Sequence, residues 1–136
     1  MTLSSATHTL RHSLLELHRT IVTAERVAYE RRAGQVNSSS FLRVLIEDEA
    51  YGWLRPLSAL ILRMDEDTEE PAAEAEAEIL AGTRALVRPD AAGNPFQQRY
   101  ARLVDESPDV AYAHGTVMQA LKRPAAALLQ GTAAVH

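Results

Sequence analysis

Trp53-Leu54-Arg55-Pro56-Leu57-Ser58 decides the reading of the fold, because it sets a proline inside the most apolar helical stretch of a 136-residue chain. It also carries the single tryptophan. From Phe41 to Met64 the residues read as one amphipathic helix. The first part carries Phe41, Leu42, Val44, Leu45 and Ile46. The second carries Trp53, Leu57, Leu60 and Met64 on one face, with Leu54 and Ile61 beside it. Pro56 has no N–H to offer the carbonyl of residue 52, and its ring crowds that carbonyl. Residue 52 is glycine, so the pair predicts a kink near Gly52 within a continuous helix. The alternative is a break at Asp48 that leaves two shorter helices. Trp53 then reads as a core anchor and not as a stacking platform for a ligand. Arg55 falls on the other side of the wheel, together with Tyr51, Ser58 and Leu62. An arginine beside a tyrosine and a leucine is a composition favoured where protein surfaces meet. Tyr51, Arg55, Ser58 and Leu62 are therefore the candidate interface. The competing reading is an ordinary surface with one stray leucine, or a helix placed centrally in its own subunit.

Outward from this stretch, every segment reads as helix or connection. Leu10, Leu14, Leu17, Ile21, Ala24 and Ala28 form one seam at alternating spacings, which predicts a helix over 5–33 with Gly34 as its stop. Asn37-Ser38-Ser39-Ser40 offers caps for the next helix. Asp65 to Glu78 contains eight carboxylates and Pro71. Asp65–Glu70 reads as a solvated loop, with Pro71 opening a weakly apolar helix that runs to about Val87. That helix is expected to be the outermost and least stable. Residues 88–95 form a loop by their turn signals. Phe96, Tyr100, Leu103 and Val104 mark a short helix. Ser107-Pro108 is a cap and first-turn pair for a last helix carrying Val110, His114, Val117 and Leu121 on one stripe, ended by Pro124. The expected fold is all-α: a four-helix-bundle-like single domain over 1–123 with a kinked or broken second helix, then an apolar tail over 124–136 that docks, pairs or frays.

Composition narrows the function classes. The absence of cysteine excludes disulfides, cysteine-ligated metals and thiol chemistry. A domain of this size buries roughly two-thirds of its unfolded surface and needs no metal to fold. The net charge of −4, thirteen scattered arginines and a single lysine lack the basic stripe of a nucleic-acid module. Aromatic residues are too few for base-stacking platforms. The first residues carry no apolar leader core, and no apolar run reaches the length of a membrane span. The expectation is a bacterial, cytoplasmic protein.

Several pieces of the chain share a pattern with known sequences. Ala24-Glu25-Arg26 with Tyr29-Glu30, the Trp53–Ser58 block, Phe96, Arg99-Tyr100, and Asp109-Val110 with His114 resemble a family of uncharacterised small bacterial helical-bundle proteins. The resemblance spans most of the chain. It implies a bundle and brings no activity with it.

The remaining candidates are polar constellations. His8, His12 and Glu16 recur every four residues, a metal-chelating geometry, yet they lie opposite the leucine seam and read as solvated. His18 and Glu25 share a line beside the seam, Tyr29 follows one turn on, and His114 sits in the stripe of the last helix. If the first and last helices pack together, His18, Glu25, Tyr29 and His114 define a polar pocket for a small ligand or a divalent metal. Against the metal stands the ~10.5 Å of helix rise between His18 and Glu25. The competing reading is a satisfied boundary histidine, a satisfied core histidine and a glutamate paired with an arginine. Glu47, Asp48 and Glu49 read as a charged turn and Ser38–Ser40 as caps. No di-iron pattern, nucleophile elbow, P-loop or dinucleotide fingerprint occurs. The sequence thus points to a non-enzymatic interaction protein that self-associates, with no cofactor and no metal, as a homodimer with an unidentified protein partner. The alternative is the ligand-binding bundle.

Overall fold

In a computed structural model the described residues are 5–66 and 73–135, with side chains described over 7–65 and 74–122. They are almost entirely helical and contain no strand, in six α-helices and one 3-10 segment. The helices are α1 Ser5–Ala33, α2 Ser38–Glu47, α3 Arg55–Glu66, α4 Ala73–Leu86, α5 Pro95–Glu106 and α6 Pro108–Val135.

The long helix α1 forms around its leucine seam. Leu10, Leu14, Leu17 and Ile21 are all fully buried, and the stripe continues into Glu25. Arg31 and Arg32 favour the negative end of the helix dipole. Gly34, at φ 86°, then turns the chain, and its N–H donates to the Glu30 carbonyl at 2.9 Å. Only glycine takes that left-handed conformation without a steric cost. The turn that follows is clamped by α1 itself. Arg26 donates to the Val36 carbonyl, and the Val36 N–H donates to the Glu30 carboxylate at 3.0 Å.

The second helix is broken, and the break lies at Asp48. Asn37 caps α2 by accepting from the Ser40 N–H at 2.8 Å. Asp48 is extended, and its N–H donates to the Val44 carbonyl, ending α2. Its carboxylate accepts from the Ala50 N–H at 2.9 Å, starting the 3-10 segment Glu49–Leu54. A short acid that bonds the backbone two residues on competes directly with helix continuation. The expected kink at Gly52 does not form. The Gly52 carbonyl takes its hydrogen bond from the Arg55 N–H, and Pro56 stands in the first turn of α3. There its missing N–H has no intrahelical partner to lose.

The break also resets the core stripe. Leu54, Leu57, Ile61 and Met64 are buried, whereas Trp53 and Leu60 are half-buried beside them. The expected Trp53–Leu57–Leu60–Met64 face assumed a uniform helical step. A 3-10 segment turns faster per residue and rotates residues before Arg55 relative to α3.

Beyond α3, Ile79 and Thr83 line the buried side of α4 and Val87 just past its end is buried too, and the Thr83 hydroxyl donates to the Ile79 carbonyl at 2.7 Å. The expected role of Pro71 lies outside the described residues. α4 packs chiefly on α3, with Arg63 and Glu78 paired at 2.7 Å, and Arg84 reaches the Leu121 carbonyl of α6 at 3.3 Å. A capping box starts α5: Gln97 N–H donates to the Asn94 side chain at 2.8 Å, and Asn94 N–H to the Gln97 side chain at 3.0 Å. A Cβ at Gly93 would collide with the Gln97 side chain, so this cap requires glycine there. Phe96, Tyr100 and Leu103 face inward.

Ser107 accepts from the Val110 N–H at 3.3 Å and Pro108 opens α6, as the sequence predicts. Val110, Ala113, Val117, Ala120 and Leu121 form its buried stripe, with His114 half-buried at the edge. Pro124 does not end this helix, which continues to Val135. A proline removes one ladder bond and crowds one carbonyl, a local cost that strong helix formers on its far side tolerate. The side chains of 123–136 lie outside the described residues, and with them the expected docking of the tail.

The packing centre is the contact of α1 with α6. α5 lies on α6, and α3 joins α1 to α4. This fixes a testable distinction. Pro56→Ala should change stability by less than ~1 kcal/mol, as expected at a compatible first-turn position. A gain near ~3 kcal/mol in chemical denaturation would instead reveal a strained proline inside a continuous helix.

Candidate functional site

Glu25 is where the leucine seam of α1 becomes polar. It is 4% exposed, the only carboxylate among the buried described residues. A buried charge demands a partner, and the fold supplies it from far along the chain. Arg99 Nη2 on α5 donates to Glu25 Oε1 at 2.8 Å. The Arg99 guanidinium also sits 6.0 Å from the Trp53 ring centroid. From there an aromatic chain crosses the molecule. Trp53 and Phe96 are 5.7 Å apart, Phe96 stacks on Tyr100 at 5.4 Å, and Tyr100 meets His114 edge-on at 5.4 Å. The series ends in a 2.6 Å hydrogen bond between Tyr100 Oη and His114 Nδ1. One connected set of contacts therefore ties α1, the 3-10 segment, α5 and α6.

Burial pushes the Tyr100 phenol well above its ordinary range, which favours the protonated phenol. Burial lowers the His114 pKa, which favours the neutral imidazole, and the tautomer of that ring sets which of Oη and Nδ1 donates. His18, also lowered by burial, lies 3.1 Å from Ser58 Oγ through Nε2.

The four residues predicted to share a pocket do not converge. His18 faces α3 and Ser58. Glu25 faces α5 and Arg99. Tyr29 packs on Phe41 at 5.5 Å, and His114 bonds Tyr100. α1 does pack beside α6, as that pocket requires. Even so, the shared line of His18 and Glu25 on α1 meets different neighbours at different heights. No group of three or more His, Asp or Glu residues is placed to hold a metal ion among the described residues. His8 and His12 are exposed, and Glu16 pairs with Arg19 at 3.5 Å. The His18–Ser58 contact has the reach of a base beside a nucleophile. No carboxylate orients the His18 ring among the described residues, and the pair reads as a clamp between α1 and α3.

The candidate interface divides. Arg55, Ser58 and Leu62 are exposed, Leu62 by 58%. Tyr51 is 5% exposed, which corrects its expected outward position. The break at Asp48 swings it inward onto Phe41 at 5.9 Å, where Arg32 reaches its hydroxyl at 3.4 Å. Burial is the main reason its phenol titrates above the ordinary range.

Sequence reasoning did not single out Arg99 as a site residue. The usable signal is Glu25 itself, four residues beyond Ile21 on the seam, because a carboxylate in a core stripe requires a cation. It also missed an open groove of ≈ 790 Å³ between α1 and the α5–α6 corner. Glu25 and Arg99 form part of its lining, with Ala24, Ala28, Leu103 and Ala113. Thr20, Thr23 and Thr116 along it each donate to the carbonyl four residues back on their own helix. No protein family, curated protein or solved structure matches this chain.

Two stability measurements test the site. Arg99→Ala leaves a buried carboxylate without its cation and should cost about 2–3 kcal/mol, below the full buried-pair value because Arg99 keeps part of its side chain in water. Glu25→Gln should cost less, since a neutral amide replaces the charge. Equal losses in urea unfolding would contradict the pair as the organising contact. For pH, the two histidines bind fewer protons folded than unfolded once the medium drops below 6.5, the ordinary histidine value. Their contribution is present above that pH and is lost as the pH falls through their lowered folded values. Urea midpoints should therefore decline on acidification from neutrality, and His18→Asn with His114→Gln should flatten the decline.

Proposed function

We propose that this chain is a non-enzymatic helical interaction protein that self-associates through the outer side of α2 and α3. The observation that carries this reading is the exposure of large aliphatic side chains on these two short helices. Leu42 and Ile46, one turn apart on α2, are 57% and 68% exposed, and Leu62 on α3 is 58% exposed. Burying a leucine or isoleucine is worth about 1.5–3 kcal/mol, so a pair left in water on one face favours a covering surface. Arg55, exposed on α3, supplies a polar group of the rim expected around such a contact. The polar residues that chemistry would need are engaged in tying helices together: His18 with Ser58, Glu25 with Arg99, and His114 with Tyr100.

The architecture that fits this role is four-helix-bundle-like. α1, α3, α5 and α6 supply most of the buried core, and α2 and α4 flank it. A bundle with exposed flanking helices presents apolar surface without loosening its interior. No helix among the described residues is long and apolar enough to cross a membrane. The surroundings proposed here are the bacterial cytoplasm. The ligand-binding alternative would use His18, Glu25, Tyr29 and His114, and their separate partners disfavour it.

Sedimentation velocity provides the test. The wild-type chain should sediment as a dimer or larger at micromolar concentration. Leu42→Glu with Ile46→Glu should reduce that state while leaving the helical circular dichroism unchanged. A wild-type chain that stays monomeric throughout the micromolar range overturns the reading.

A further inference from the structure

The groove between α1 and the α5–α6 corner has walls of opposite sign. On the α1 wall Arg19 and Arg31 are exposed. Of the two acids there, Glu16 lies 3.5 Å from Arg19 and Glu25 is buried against Arg99, which leaves Arg31 without an acid beside it among the described residues. On the facing wall Glu106 closes α5 and Asp109 stands in the first turn of α6, both exposed. Glu25 and Arg99 neutralise each other. The groove also holds the most exposed large hydrophobic residue of the described chain, Tyr112 at 80%, and Val27 at 44%. The lining around them is small: Ala24, Ala28 and Ala113 leave room for a ring to enter. A projecting tyrosine beside a recess of small side chains is the kind of anchor that dominates protein contacts.

Within one copy the two charged walls flank the groove on opposite sides. A second copy related by a twofold axis that runs along the groove meets both walls at once. Its acidic corner faces Arg19 and Arg31, its own arginine wall faces Glu106 and Asp109, and each Tyr112 enters the opposite groove. Such a contact is isologous, so every complementary pairing occurs twice. We infer that this groove is an interface for a second copy of the chain, distinct from the α2–α3 surface. The inference rests on the self-association proposed above and adds a second contact to it. Two different isologous contacts on one chain carry assembly beyond the dimer, closed where their twofold axes meet.

Charge reversal on matched walls tests this by native mass spectrometry. One variant carries Arg19→Glu and Arg31→Glu, and its groove walls are then both negative. The other carries Glu106→Arg and Asp109→Arg, and its walls are then both positive. Each alone should stop at the dimer that α2–α3 allows. An equimolar mixture should recover the wild-type assembly, because all-negative and all-positive grooves are complementary. Recovery also demonstrates that both variants fold. Tyr112→Glu, on an exposed position, should stop at the dimer as well. If either reversed variant alone assembles as far as wild type, or if the folded mixture fails to recover, the groove is not an interface. Leu42→Glu with Ile46→Glu separates the two surfaces. A groove dimer should persist in that variant, whereas a monomer there overturns the groove and leaves the α2–α3 reading standing. A monomeric wild type overturns both.

Discussion

The ion pair between Glu25 and Arg99 is the constraint on which the arrangement of this protein turns. A buried carboxylate demands a partner, and on α1 itself Arg26 and Arg32 are engaged with Val36 and Tyr51. Arg99, reaching across from α5, supplies it. Once Arg99 is held there, its guanidinium lies near Trp53, and Phe96 and Tyr100 on the same helix continue the contact to His114 on α6. The apolar seams bring the helices together without strong directional preference, whereas a single buried charge pair accepts few relative positions. The leucines drive the packing and the pair sets its register.

The polar residues that look most like a site are used to the same end. Each candidate meets a partner on another element, and each partner accounts for its burial. On the surface the chain leaves aliphatic residues of α2 and α3 in water, and a groove beside α1 lined by arginines of α1 and carboxylates of α5 and α6. These features support the association proposed above.

How much of this was legible depends on the range of the interaction concerned. The extent of α1 follows from local spacing and a stopping glycine, and the structure reproduces it from Ser5 to Ala33. The caps at Asn37 and Ser107 are equally local and were readable from residue type, as was the proline opening α6, whereas Asn94 was read only as part of a loop. The second helix shows where local reading divides. Pro56 is a conspicuous breaker, yet its position suits the first turn of a new helix, and the quieter Asp48 makes the break by bonding backbone on both sides. That choice carried Tyr51 inward and moved the core stripe from Trp53 to Leu54. Pro124 misled in the opposite sense, because α6 absorbs it.

The amino-acid sequence by itself determined the helical class, most helix starts and stops, and the seam of α1, because these depend on periodicity and hydrogen bonds within a few residues. It also placed Glu25 on a line beside that seam, and the structure buries it. Only the tertiary structure decided which partner each polar residue meets. His18 and Glu25 share a line on one helix, yet one faces Ser58 across α3 and the other faces Arg99 across α5. A helical wheel records direction around one axis and contains nothing about the element lying opposite. The groove is decided at the same level, since its walls come from segments far apart in the chain and face each other only because α6 packs on both α1 and α5.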